Sequence, residues 1–146
     1  MITDQLLRVS TDQAITATAV STDKIDLGAG VRDVGAGKDL YMVFTVTETF
    51  LTLTSLALAV VVDNDAALGS PTVLASKSVT LAGGGLAAGQ QHVLPIPEVI
   101  GSLGERYLGA TYTVTGDAAT AGKITTDIVE TVQDGKKFYP VGWSVA

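Results

Sequence analysis

His92 is the only histidine of the chain. A Ser-His-Asp triad backed by a second imidazole, or a multi-histidine metal site, therefore has no material to be built from. It stands in Gln91-His92-Val93-Leu94-Pro95-Ile96, alternating with apolar residues, and reads as a solvent-facing histidine on a strand. Cysteine is absent, which removes disulfides, thiol nucleophiles and Cys-ligated zinc. No serine lies in the Gly-x-Ser-x-Gly context of a nucleophile elbow. Gly37-Lys38 resembles the end of a phosphate-binding loop, but Arg32 occupies the position of the first glycine and Asp39 that of the magnesium-binding Ser/Thr. Gly28-Ala29-Gly30 fails the dinucleotide pattern because Asp33 replaces its third glycine. Asp63-Asn64-Asp65 offers oxygen ligands of the kind calcium takes, without the glycine and terminal glutamate of a helix-loop-helix site. The same three residues suit a turn in which Asx side chains bond their own backbone. Glu48, Glu98, Glu105 and Glu130 could supply paired carboxylates for glycoside hydrolysis. With aromatics at 5% there are few platforms on which sugars stack, and each glutamate reads as a surface or strand-edge residue. No catalytic, cofactor or metal site is expected, and the chain is not expected to be an enzyme.

The C-terminal segment is chemically distinct. After the tight-turn dipeptide Asp134-Gly135 come Phe138, Tyr139 and the only tryptophan, Trp143. Chain ends usually fray, so aromatics concentrated there point to a tail that is tied down. Two arrangements fit: the tail packs on its own domain as a final strand, or it docks on a neighbour, since aromatics are enriched at interface cores. Phe138, Tyr139 and Trp143 are the candidate protein-interface residues.

The elements that would position these groups are strands. In 40–47, Leu40, Met42, Phe44 and Val46 share one face, with Tyr41, Val43, Thr45 and Thr47 opposite. In 54–62, Leu56, Leu58, Val60 and Val62 alternate with Ala57, Ala59 and Val61, which reads as a strand covered on both sides. In 106–115 the apolar set is Leu108, Ala110, Tyr112 and Val114. In 123–132, Ile124, Ile128 and Val132 point in, with Lys123, Thr125 and Asp127 out. Weaker strands fit 14–20, 24–27, 73–79 and 91–96. Glycine-rich or proline-containing separators lie at 28–37, 63–71, 82–89, 97–104 and 116–122. Only 4–10 and 118–121 suggest a helical turn, and the first could instead be an extended arm. About eight antiparallel strands predict an all-β fold, a β-sandwich of jelly-roll type. The expected organisation is a single domain over 1–146, with a possible N-terminal arm (1–12) and C-terminal tail (134–146).

Composition agrees. The 146 residues are one domain's worth. Gly (16) and Thr (19) are abundant, suiting turns and half-buried strands. Hydrophobic residues make up 47% and charged residues 16%, so the chain can bury a core large enough to offset its conformational entropy. Nine basic against fifteen acidic residues give a net charge of −6. The basic residues are scattered except Lys136-Lys137, which argues against a nucleic-acid partner. The longest strongly apolar run, 56–62, is far short of the ~20 residues of a transmembrane helix, and no membrane partner is expected. Met1–Gln5 lacks the basic and apolar regions of a signal peptide, so none is expected.

Several segments, taken as an ordered set, resemble the phage capsid cement (decoration) proteins of the Bordetella-phage type. They are Leu6-Leu7-Arg8-Val9-Ser10, then 13–22, Ile25-Asp26-Leu27-Gly28 and 39–46. After these come Arg106-Tyr107-Leu108-Gly109, Tyr112-Thr113-Val114 and 132–140. The resemblance spans essentially the whole chain and is thinnest over 51–89. It implies a structural virion protein: a jelly roll on the outer surface of a tailed-phage capsid, made in the host cytoplasm. It also implies a homo-oligomer, a dimer in the first instance, that bridges major capsid protein subunits. It carries no catalytic residue and no cofactor. The competing expectation is a carbohydrate- or receptor-binding β-sandwich, with Asp63–Asp65 as its best loop.

Overall fold

The computed structural model describes residues 1–29, 34, 37–98 and 100–132. Their elements are strands β1 (Arg8–Ala14), β2 (Ala19–Val20), β3 (Ile25–Asp26), β4 (Leu40–Asp63), β5 (Thr72–Thr80), β6 (Gln91–Ile96) and β7 (Tyr107–Val129). A 3-10 turn, Gln5–Leu7, precedes β1 and is capped by Asp4, whose carboxylate accepts from the Leu6 N–H at 2.9 Å. A single helical turn, α1 (Ile100–Leu103), precedes β7.

All pairings are antiparallel, and the long strands β4 and β7 run beside each other from Tyr41↔Val129 to Asp63↔Tyr107. Their register breaks repeatedly between Val46 and Ser55, where the sheet folds over on itself. One leaf then contains β1, the second half of β7, the first half of β4, and β6. The other contains β2 and β3, the first half of β7, the second half of β4, and β5. Counted as eight segments, the first pairs with the eighth, the second with the seventh, the third with the sixth and the fourth with the fifth. That nested order, rolled up, is a jelly roll.

The sequence shows eight short strands, whereas the structure runs two pairs of them together. The stretches 40–47 and 54–62 join as β4. The glycine-bearing 116–122 lies inside β7, so 118–121 is extended and not helical. At the corner a strand need not stop to turn. Gly116 and Gly122 have positive φ (+90° and +136°), and Thr52 takes φ 76°, a strained value for a β-branched residue. The Thr52 hydroxyl donates to the Ala118 carbonyl (2.7 Å) and accepts from the Thr120 N–H (3.1 Å), tying the two bent strands together. The expected strand at 14–20 also divides. Ile15 to Thr18 crosses the corner between leaves, with the Ile15 N–H on Gly122 O and the Ala119 N–H on Thr16 O. The sheet begins earlier, at Arg8.

The core lies between the leaves. Leu56, Leu58, Val60 and Val62 are fully buried beside Leu108 and Tyr112, and half-buried Val114 packs on the same cluster. Phe44 meets Tyr112 edge-on, ring centroids 6.1 Å apart, across the two leaves. The Tyr112 hydroxyl bonds Ser10 Oγ (2.7 Å) and Thr126 Oγ1 (2.8 Å) on the facing leaf, so a buried polar group is satisfied where it pins one leaf to the other. Burial pushes the Tyr112 hydroxyl up to about 12. The second apolar face of 54–62 is covered as well: Ala59 and Val61 pack with Leu68 and Tyr107.

Candidate interaction surface

At the corner end of the sandwich, β4 carries Glu48 opposite Lys123 of β7, and the side chains pair at 2.9 Å. The pair holds the Glu48 carboxyl below its usual range and raises the Lys123 ammonium. Glu98 follows β6, whose Ile96 faces Leu40; Glu105 precedes Tyr107, and Glu130 follows Val129. All three belong to the opposite end, eight strand residues or roughly 26 Å from Glu48. Glu48 therefore cannot form a catalytic carboxylate pair with any of them. Glu130 instead takes Lys38 as an ion-pair partner, which also accounts for the lysine of Gly37-Lys38.

That open end gathers the charges. Arg106 binds Asp26 through two hydrogen bonds of 2.7 Å, and its guanidinium lies 5.1 Å from the Tyr107 ring centroid. The arginine and the Gly28 N–H together hold Asp26 down at about 2. Asp63 ends β4 and spends both carboxylate oxygens on backbone donors in the turn that follows, the Asp65 and Ser70 N–H groups at 3.0 Å each. Asp65 accepts from the Ala67 N–H at 2.9 Å. The bonds to the Asp65 and Ala67 N–H groups are Asx-turn bonds, the structural reading of the Asp63–Asp65 loop, and with the Ser70 bond they engage three of the loop's four carboxylate oxygens.

Two expectations are corrected here. His92 does not face solvent. It lies on the inner row of β6 with Leu94 and Ile96, 7% exposed, and its Nε2–H donates to the Gly85 carbonyl at 2.7 Å. Gly85 lies against the ring, because the 81–90 connection folds over the corner side of β6. His92 has the parity of Leu94 and Ile96, so it turns inward with them. Asp127 points outward as expected, yet it is only 4% exposed: Arg8, directly opposite on β1, closes over it with a 2.7 Å ion pair.

Burial lowers the His92 pKa below 6.5, reinforced by nearby Lys77 and opposed by the Gly85 bond. The folded state thus binds this proton less well than the unfolded chain. The stability that neutral His92 contributes is complete above pH 6.5 and is lost as pH falls from there toward the folded-state pKa. Thermal melts of the wild type should drop across that window, well above the acid range where Asp26 and Glu48 titrate. His92→Gln should flatten the drop. A wild-type profile as flat as the variant's would show that the ring's protonation is not linked to folding.

Apolar surface also collects at the open end. A cleft of about 470 Å³ is lined by Tyr41, Val93, Glu130, Thr131 and Val132. A second, about 300 Å³, lies on the other side of Glu130 and Thr131, with Ile2, Leu7 and Val129 in its wall. Ile2 and Leu6 of the N-terminal segment are 93% and 84% exposed. Sequence reasoning missed this surface. Its available signal was three aliphatic residues, Ile2, Leu6 and Leu7, outside any alternating pattern. Phe138, Tyr139 and Trp143, the expected interface aromatics, lie outside the described residues.

The jelly roll therefore spends Glu48, Asp63, Asp65, His92 and Glu130 on structural bonds and exposes aliphatic residues at one end. The Bbp16 family profile matches residues 9–128, from the second residue of β1 to the penultimate residue of β7. The chain belongs to the Bbp16 family. This is a Bordetella-phage protein family, so the jelly roll described above is a phage protein fold. No curated protein matches the chain. The Bbp16 match takes in both leaves and the corner, so what the family shares is the whole framework and not a local motif. Among the described residues no helix is long and apolar enough to cross a membrane.

Proposed function

We propose that this Bbp16-family protein is a capsid cement protein: it binds the outer surface of a phage head as a homo-oligomer and bridges major capsid protein subunits without chemistry. The observation that carries the reading is family membership over the complete jelly roll. The ordered resemblance of the chain to phage decoration proteins supplies the finer role. Glu48, Asp63, Asp65, Glu130 and His92 support it too, because each is engaged in holding the fold.

Cement action follows from mass action and repetition. A ligand that binds only the assembled shell stabilises it in proportion to its occupancy. Contacts repeated around a closed shell gain from high effective concentration. With a net charge of −6 the protein is steered to basic patches, so attachment should slow as salt rises. The test is to add the wild type and a variant deleted for 138–146 to undecorated heads, and to measure binding and resistance to heat. The wild type should bind and raise the disruption temperature. The truncated variant should fold and bind at least tenfold more weakly, as loss of an aromatic anchor worth ~1.4 kcal/mol or more requires. Wild-type protein that neither binds nor protects heads removes the cement role. A folded truncation that decorates normally removes Phe138, Tyr139 and Trp143 from it.

A further inference from the structure

Two apolar rows cross the outer face of the leaf built on β1, β7, β4 and β6. Register places Asp127, Val43 and Val93 side by side, then Val129, Tyr41 and Pro95 one step nearer the open end. The next row toward the corner, Thr125, Thr45 and Gln91, is polar. Arg8 closes over Asp127. Val43 and Val129 are 0% and 3% exposed, although both point away from the core between the leaves. Neither belongs to the two apolar clusters formed among the described residues. Valines withdrawn from water on an outer face call for a cover of their own.

The position and chemistry of the chain end select that cover. Val132, the last described residue, lines the cleft of about 470 Å³ together with Tyr41 and Val93. The sequence continues Gln133-Asp134-Gly135-Lys136-Lys137-Phe138-Tyr139-Pro140-Val141-Gly142-Trp143. Asp-Gly is a dipeptide that reverses an extended chain within two residues, which directs 136–143 back along the leaf. Six residues from Val132 to Phe138 reach about 20 Å. Crossing from β7 over β4 to β6 takes two strand spacings, about 10 Å. Among the described residues, Ile2 and Leu7 of the N-terminal segment line the second cleft and not this one. Glu130 lines both clefts and Asp4 the second, so carboxylates await the Lys136-Lys137 doublet.

We infer that segment 136–143 folds back over the outer face of its own leaf, seats its aromatic residues against Tyr41, Val93 and Val132, and covers Val43 and Val129. Each aromatic ring that enters withdraws about 150–250 Å² of its own surface from water, which offsets the entropy of fixing the tail. The seat is a property of the free chain and does not depend on the cement reading. Seated there, the tail forms part of the surface that the domain presents to a capsid.

Trp143 is the only tryptophan, so its fluorescence reports on the tail alone. In the full-length protein its emission should be blue-shifted and shielded from acrylamide at every protein concentration. Val93→Glu, in the wall of the cleft and outside the core between the leaves, should move emission and quenching to those of the urea-unfolded chain while the far-UV circular dichroism stays unchanged. The chain has no cysteine, so Pro95→Cys can carry a bimane label at an exposed position beside Tyr41. Trp143 should quench that label and Trp143→Phe should restore it, whereas a label on Leu51→Cys at the corner should stay bright. If Val93→Glu unfolds the domain, the Pro95 label decides. A solvent-exposed, freely quenched Trp143 in the wild type overturns the inference. So does a Trp143 that remains shielded in folded Val93→Glu, or a Pro95 label that Trp143 leaves bright, since either seats the tail elsewhere. Shielding lost on dilution puts the tail on another copy and overturns it as well. None of these readouts involves a capsid, so failure of the seat is distinct from failure to bind heads.

Discussion

Leu58→Ala should lower the stability of the domain by about 2–5 kcal/mol, the range for truncating a buried leucine where the surroundings collapse only in part. Leu58 is fully buried, lies opposite Tyr112 on β7, and stands in the row Leu56, Leu58, Val60, Val62 that faces the other leaf. Dense packing on every side gives the cavity little means of closing. Leu51→Ala, at a residue 51% exposed on the corner, is the control and should change stability by no more than about 0.5 kcal/mol. Urea titration at fixed protein concentration measures both, with an unchanged slope showing that the loss is in the native state. Equal losses for the two variants would mean that the 54–62 row is not the core.

That row was legible because burial on one face imposes a period of two. Leu108, Ala110 and Tyr112 were legible for the same reason, and the second covered face showed in Ala57, Ala59 and Val61. The corner was not legible. Leu51, Thr52 and Leu53 continue the composition of a strand, and the bend there is made by backbone values and by glycines 63 to 71 residues downstream on β7. Sequence periodicity reports which way side chains point, not where a paired strand yields. The Tyr112 bonds to Ser10 and Thr126 are long-range in the chain, as is the Arg8 cover over Asp127, so local patterning carried neither. His92 was misplaced because its neighbours fix only a parity. The 81–90 connection, whose own sequence reads as a loop, decides that its ring is buried.

Gly122→Ala is the second substitution with a large expected loss, and it tests how the corner is held. Gly122 has φ +136°, where an L side chain is strained, at a cost of about 1–2 kcal/mol. A Cβ there would also fall on the Phe50 ring, a clash of the overpacking kind worth about 1–3 kcal/mol. Phe50 has little room to retreat: it is fully buried, and its N–H is bound to the Leu86 carbonyl at 3.0 Å. The loss should therefore total about 2–5 kcal/mol. Gly89→Ala separates the two causes. Gly89 has φ +90° with no atom within 4 Å of an added Cβ, so it should show the backbone cost alone. Phe50→Leu combined with Gly122→Ala should recover part of the difference, giving a coupling of about 0.5–3 kcal/mol between residues in contact. If Gly122→Ala is no worse than Gly89→Ala, the Phe50 ring is not what fixes the corner. If it is worse and Phe50→Leu relieves it, ring and glycine together set how closely the two leaves fold over each other. That spacing is what lets Tyr112 reach Ser10 and Thr126 across the core.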